Sequence, residues 1–277
     1  MQRGWRMQNN KRLFFVTNTK MSKGIKESIQ YFEELNQKVA DLGGMQVEIA
    51  VMLPYAALYA VKCSEKRRGI LLGAQNVCGG REIGYTGEIS IEMLKELEVD
   101  CVMAGHSDRR CKMNESNEEI RKKVLLATEQ DICVYLCIGE TEQQKQQGIT
   151  EEVLKIQLKK CLQGVSTEKL HLLRILYEPV WAIGVSGAVV SPQYAEKSHE
   201  IIRNCLAELY DQDRADSIPI IYGGSVDKEN ARPLIEQQQI DGLGIGRNAW
   251  DAEGFNRIIR KVIFEQKRGK SDAENIE

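Results

Sequence analysis

Eight short apolar runs, alternating with helical patterns along most of the sequence, predict an α/β chain folded as a single closed (β/α)8 barrel. Three observations carry that prediction. The runs fall at 13–16, 47–52, 70–74, 101–104, 132–137, 172–177, 219–221 and 242–245, each short enough for a strand buried in a sheet. Between the first two, Ile25, Ile29, Phe32, Leu35 and Val39 recur at steps of three and four, which puts them on one helical stripe. The 277 residues suit one domain of this kind, and an open doubly wound sheet, the alternative architecture, usually has fewer strands.

Taken in order, residues 1–12 form a polar, basic N-terminal extension with no apolar core of signal-peptide length. The barrel domain is expected to span 13–265. Thr141 and Gln144 have capping-box spacing and open a helix after the fifth strand. The run at 172–177 is apolar except for Arg174, and Pro179 ends it. Ser191-Pro192 reads as an N-cap followed by proline at the first helical position, with an amphipathic pattern continuing to Tyr210. A shorter helix is expected over 230–237. The tail at 266–277 is polar and charged and is expected to fray. There is no internal repeat and no low-complexity linker.

Composition excludes several classes of function. With 38 basic and 40 acidic residues the net charge is -2, and no basic block interleaves with aromatics, so nucleic acid is not an expected partner. No apolar run reaches membrane-spanning length, and a soluble, cytoplasmic protein is expected. The eight cysteines read as reduced core residues rather than disulfides, since Cys101, Cys133 and Cys137 fall inside strand-like runs. Three histidines, His106, His171 and His199, are scattered with no Cys-x-x-Cys pair nearby, so no metal site is expected.

In a parallel α/β barrel, chemistry sits in the loops after the strands' C-terminal ends. Glu178 occupies such a place after the sixth strand, in the stretch Tyr177-Glu178-Pro179-Val180-Trp181-Ala182-Ile183-Gly184. Lys20 follows the first strand, where a lysine attracts an anionic substrate and stabilises oxyanion charge; a solvated surface lysine is the competing reading. His106 follows the fourth strand, in Gly105-His106-Ser107-Asp108-Arg109-Arg110. Near a helix N-terminus the positive potential favours neutral imidazole, suited to donating a hydrogen bond to a carbonyl; a hydrogen-bonded structural histidine is the alternative. Asp108, Arg109 and Arg110 read as scaffold charges with Glu115 as a partner. Glycine loops at 222–226 and 242–250 offer backbone amides that cradle phosphate, or simple turns.

Together these segments closely resemble the triosephosphate isomerase family. The matches are Asn18 and Lys20 before Met21, Ala74-Gln75-Asn76 with Thr86-Gly87-Glu88, the run from Gly105 to Arg110, Cys137-Ile138-Gly139-Glu140, Tyr177 to Gly184, Tyr222 to Val226 and Asp241-Gly242. They are ordered and span nearly the whole chain. The resemblance implies a TIM barrel that isomerises an aldose and ketose phosphate through an enediol(ate), with no cofactor and no metal. Glu178 would shuttle the proton, while His106 and Lys20 polarise the substrate oxygens; a glutamate base working with a neutral histidine is the established arrangement of this family. Asn18 would orient the site, and Gly184, Ser225 and Gly246 would supply phosphate-binding amides. The loop from 179 to about 190 would close as a lid that protects the intermediate. A homodimer is implied, with the loop carrying Thr86 entering the neighbouring subunit's site.

Several departures fall on the site. Thr19 stands where the family usually has tryptophan, and Asp108 where it has glutamate, one methylene longer. The lid tip, Val185 to Pro192, replaces the usual Thr-Gly-Lys and is one residue longer. The usual Gly-Gly after the eighth strand becomes Gly246-Arg247, which offers a guanidinium to a phosphate or points it outward. The longer lid and the Arg247 ending are similar to a branch of the family that isomerises erythrulose phosphates. Three readings follow: interconversion of glyceraldehyde 3-phosphate and dihydroxyacetone phosphate in glycolysis and gluconeogenesis, the same chemistry on a four-carbon ketose phosphate, and a non-catalytic phosphosugar-binding barrel.

Overall fold

The computed structural model of the chain describes residues 11–64, 69–184 and 188–274. Most of the N-terminal extension and residues 185–187 of the lid tip therefore lie outside the described residues. The strands are β1 (Leu13–Asn18), β2 (Val47–Leu53), β3 (Ile70–Ala74), β4 (Cys101–Ala104), β5 (Cys133–Ile138), β6 (Leu173–Tyr177), β7 (Ile220–Tyr222) and β8 (Gly242–Ile245). Each pairs in parallel with the next, and β8 returns to β1 through Phe14↔Gly242 and Phe15↔Leu243, closing the barrel. The eight strands fall where the apolar runs predict them, shifted by one or two residues at some ends.

Residue alternation explains the closure. In β1 and β2, Phe14, Val16, Ala50 and Met52 point into the barrel, where they join Met103, Tyr135, Cys137 and Leu176. Their neighbours Phe15, Ile49, Val51 and Leu53 point outward and pack beneath the helices. Both faces of every strand are thus buried, which is why the strands read as near-continuous apolar runs.

The helices in the first half are α1 (Ile25–Val39), α2 (Tyr55–Ser64), α3 (Ile91–Glu96), α4 (Ser107–Lys112) and α5 (Asn117–Glu129). In the second half they are α6 (Glu142–Gln146), α7 (Thr150–Cys161), α8 (Pro192–Leu209), α9 (Gln212–Ser217), α10 (Ala231–Ile235) and α11 (Ala252–Glu274). The stripe on α1 buries Phe32, Leu35 and Val39, but Ile25, in the first turn, is left exposed. Thr141 and Gln144 form the expected capping box, and the Ser191 hydroxyl accepts from the Tyr194 amide to start α8 with Pro192 at its first position. The helix α11 continues over the polar, charged residues from Gln266 to Glu274. One expectation needs correction. Of the eight cysteines, six are buried and all are free, but Cys63 and Cys111 are exposed on helices rather than in the core.

The N-terminal end of the barrel is closed by ions. Glu48, almost fully buried, accepts from Tyr135 at 2.8 Å and from two nitrogens of Arg174 at 3.1 and 2.9 Å. Paired in this way, its charge is tolerated inside. The other end of the barrel stays open.

Candidate active site

At the C-terminal end of the strands a cavity of about 480 Å3 is lined by Asn18, Lys20, His106, Glu178, Gly184, Ser225, Gly246 and Arg247, all eight residues singled out in the sequence. Its walls add Val16, Met103 and Leu176 from the barrel interior and Asn248 and Trp250 from the loop after β8. Polar groups thus converge over an apolar floor, the composition expected of a small-molecule site.

Glu178 follows β6 directly and is buried at 5% exposure. Its main-chain N–H donates to the Ile138 carbonyl at 2.7 Å, so the register of β6 against β5 continues through it. Its Oε2 accepts from the Ser107 amide at 3.0 Å, and its Oε1 stands 3.4 Å from His106 Nε2. Close packing behind it requires glycine. A Cβ on Gly139 would come within 1.9 Å of the Glu178 carbonyl oxygen. The buried Cys137 thiol lies against the same carboxylate, and burial first, then the Glu178 charge, push its pKa well up.

His106 is the N-cap of α4, with Nδ1 accepting from the Asp108 amide at 2.9 Å. An Nδ1 that accepts is unprotonated, so the ring proton of the neutral imidazole sits on Nε2, facing Glu178 and the cavity. The helix predicted just after the fourth strand is therefore what orients the ring.

Lys20 has a left-handed backbone, φ +48°, a conformation that side chains rarely adopt. It is held by its own N–H donating to Asn18 Oδ1 at 2.8 Å and by Gln75 Nε2 donating to its carbonyl at 2.9 Å. Its Nζ reaches Asp108 Oδ2 at 2.9 Å, so the shorter acid still makes the contact. The Asp108 carboxyl is resisted by partial burial but is held down to about 2 by hydrogen bonds from Lys112 and Lys20. Thr19, buried beneath, donates its hydroxyl to the Met52 carbonyl at 3.3 Å. Arg109 and Arg110 are scaffold groups: Arg109 pairs with Glu115 at 2.9 Å, and Arg110 donates to the carbonyls of Gly105 and Cys137.

The far side of the cavity is built from three loops joined to one another. Asn248 Nδ2 donates to the Val226 carbonyl at 2.7 Å, and Trp250 Nε1 to the Asn18 carbonyl at 2.9 Å. Arg247 does not point away from the site. It lines the cavity and its Nη2 donates to the Gly184 carbonyl at 2.7 Å. Gly184 has φ +107°, a region open to glycine and strained for other residues. The start of the lid loop is fixed by Glu140, wholly buried, which accepts from Tyr177, Trp181 and Tyr194 at 2.7 to 3.1 Å.

Sequence reasoning passed over the Ser107 amide, Met103 and the Cys137 side chain as parts of this site. A main-chain amide carries no sequence signal at all. Met103 was legible in principle, as the inward position of β4 nearest the strand's end. Among the described residues, no group of three or more His, Cys, Asp or Glu is placed to hold a metal, and no helix is long and apolar enough to cross a membrane.

The sequence profile of the triosephosphate isomerase family matches residues 13–262, which is the barrel from its first strand into its last helix. A triosephosphate isomerase of Caldanaerobacter subterraneus is 40% identical over 249 residues, covering 90% of this chain and 99% of that protein. One from Protochlamydia amoebophila is 38% identical over 242 residues (87% and 90%), and one from Carboxydothermus hydrogenoformans 38% over 250 residues (90% and 98%). With its closed eight-stranded barrel and a match running almost end to end through it, this chain belongs to the triosephosphate isomerase family.

Proposed function

We propose that this chain interconverts D-glyceraldehyde 3-phosphate and dihydroxyacetone phosphate, moving a proton between adjacent carbons through an enediol(ate). The observation that carries this reading is the placement of Glu178 3.4 Å from the proton-bearing Nε2 of His106, at the mouth of a cavity that also holds Lys20. Glu178 is the base, and a substrate bound between it and His106 replaces their present contact. His106 donates from Nε2 to the substrate's carbonyl and enediolate oxygens, a neutral donor matched to an oxygen that gains charge only as the proton leaves. Lys20 adds a fixed cation beside them, with Asn18 holding its strained backbone. The amides of Gly184, Ser225 and Gly246 receive the phosphate, with the Arg247 guanidinium at their rim.

The same reading gives the protein a place in glycolysis and gluconeogenesis in the cytoplasm, working as a homodimer. Ile83 in the loop carrying Thr86 is fully exposed, Tyr85 beside it is half exposed, and Met21 next to Lys20 is 98% exposed, apolar surface that a second copy would cover. The relatives named above support the three-carbon substrate.

Turnover tests the proposal directly. We expect kcat/KM on glyceraldehyde 3-phosphate to exceed that on L-erythrulose 1-phosphate and D-erythrulose 4-phosphate, and Glu178→Gln to lower kcat by at least about 10³-fold while phosphate affinity stays largely intact. A preference for the four-carbon ketoses would make Arg247 and the longer lid specificity determinants, and a Gln variant with near-normal turnover would remove Glu178 from the role of base.

A further inference from the structure

Asp108 is one methylene shorter than the acid expected from the family, yet it meets Lys20. The reason lies on the other side of its carboxylate. One turn further along α4, Lys112 Nζ stands 2.7 Å from Asp108 Oδ1, while Lys20 Nζ stands 2.9 Å from Oδ2. Each oxygen therefore holds one lysine, and the plane of the carboxylate is set from both ends. The same residue's main-chain N–H holds His106 Nδ1, and its Oδ2 lies 3.6 Å from that nitrogen, so Asp108 stands between two of the three groups proposed to act on the substrate. The neighbouring cations do not compete for it, since Arg109 is spent on Glu115 and Arg110 on Gly105, Asn117 and Cys137.

We infer that Lys112 is a positioning residue of the isomerase site: by holding Asp108 Oδ1 it aims Oδ2 at Lys20, and so sets where the Lys20 ammonium meets the substrate. This rests on the proposal that Lys20 faces the substrate. An exposed i,i+4 ion pair adds little to the stability of a helix, so the contribution of Lys112 is orientation. Without it, the short Asp108 side chain has one cation in place of two and is free to turn about its χ angles, and the Lys20 ammonium loses its fixed anchor. A glutamate at 108 has the reach to hold Lys20 alone.

The test is a double-mutant cycle with a built-in rescue. Steady-state kinetics on glyceraldehyde 3-phosphate are measured for the unmodified chain, Lys112→Ala, Lys112→Arg, Asp108→Glu and the Asp108→Glu/Lys112→Ala pair, with thermal melting of each. We expect Lys112→Ala to lower kcat/KM by about fivefold or more, Lys112→Arg to restore it, and the alanine change to cost under about twofold once Asp108 is glutamate. A Lys112→Ala enzyme within twofold of the unmodified chain overturns the inference. So does an additive cycle, in which alanine costs as much beside glutamate as beside aspartate, because that is the mark of a role in helix stability alone. If the unmodified chain does not isomerise the triose phosphate, the functional reading fails and this inference falls with it, whereas an active unmodified chain with an unaffected Lys112→Ala variant overturns the inference alone.

Discussion

His199 shows how a single residue's burial becomes a property of the whole chain. It is completely enclosed, with Nδ1–H donating to the Gln239 carbonyl at 3.2 Å and Nε2 without a partner. Burial therefore depresses its pKa from 6.5 to about 3. Between those values the unfolded chain binds a proton that the folded chain refuses, so folding stability falls as pH drops through this window, by up to ~1.4 kcal/mol per pH unit for this one group. Above about pH 6.5 the contribution is fully present. Urea unfolding at pH 7 and pH 5 checks it: we expect the unmodified chain to lose about 2 kcal/mol more than His199→Gln between these two conditions. Equal losses would show that the imidazole is solvated in the folded protein. Of the three histidines, His106 stands where the sequence puts it, after the fourth strand, capping a helix and facing the cavity, whereas His199 is sealed behind β7. Nothing in the residues flanking His199 announces its enclosure, because that is made by elements distant in sequence.

At the scale of elements, the site depends on how closely the ends of β5 and β6 approach. Gly139, just past β5, admits the Glu178 carbonyl into the space a side chain would fill, and Gln157 of α7 holds its amide and carbonyl at 2.8 and 3.1 Å. We expect Gly139→Ala to leave a folded barrel with Glu178 displaced and kcat lowered by roughly 10²-fold, the cost of moving a catalytic group by about 1 Å. Circular dichroism and a crystal structure of the variant separate this from unfolding; near-normal kcat would mean that the strand ends have room to part. The order and kind of these elements were readable, since periods of two and 3.6 and the caps at Ser191 and Thr141 are local properties. Lengths and ends were less so. The helix α11 runs past Gln266 over polar, charged residues, and Ile25 sits outside the core although it shares its helix's stripe.

For the molecule as a whole, the exposed apolar side chains Met21, Ile83 and Tyr85 predict association. Sedimentation velocity at micromolar concentration is expected to give twice the chain mass of 31.4 kDa, and Ile83→Asp to shift the population towards monomer with a loss of kcat, because an isologous contact repeats a single charge twice. A monomer with full activity would end that reading.

The sequence by itself determined the class of fold and the identity of the ionisable groups that line the cavity, Lys20, His106, Glu178 and Arg247. A closed barrel obliges each apolar run to be a strand, and it delivers whatever follows those strands to one rim, so Lys20, His106, Glu178 and the two glycine loops could be placed together before any coordinate was known. Tertiary structure alone decided their states and reach: the tautomer of His106, the left-handed backbone at Lys20, the inward turn of Arg247 onto Gly184, and the second lysine behind Asp108. These depend on contacts of about 3 Å: between Arg247 and Gly184 the partners are 63 residues apart along the chain, and between His106 and Asp108 or Asp108 and Lys112 they are near neighbours whose geometry is set by how their helix meets the barrel. A linear pattern of residue types does not encode such distances, and only the packed barrel sets them.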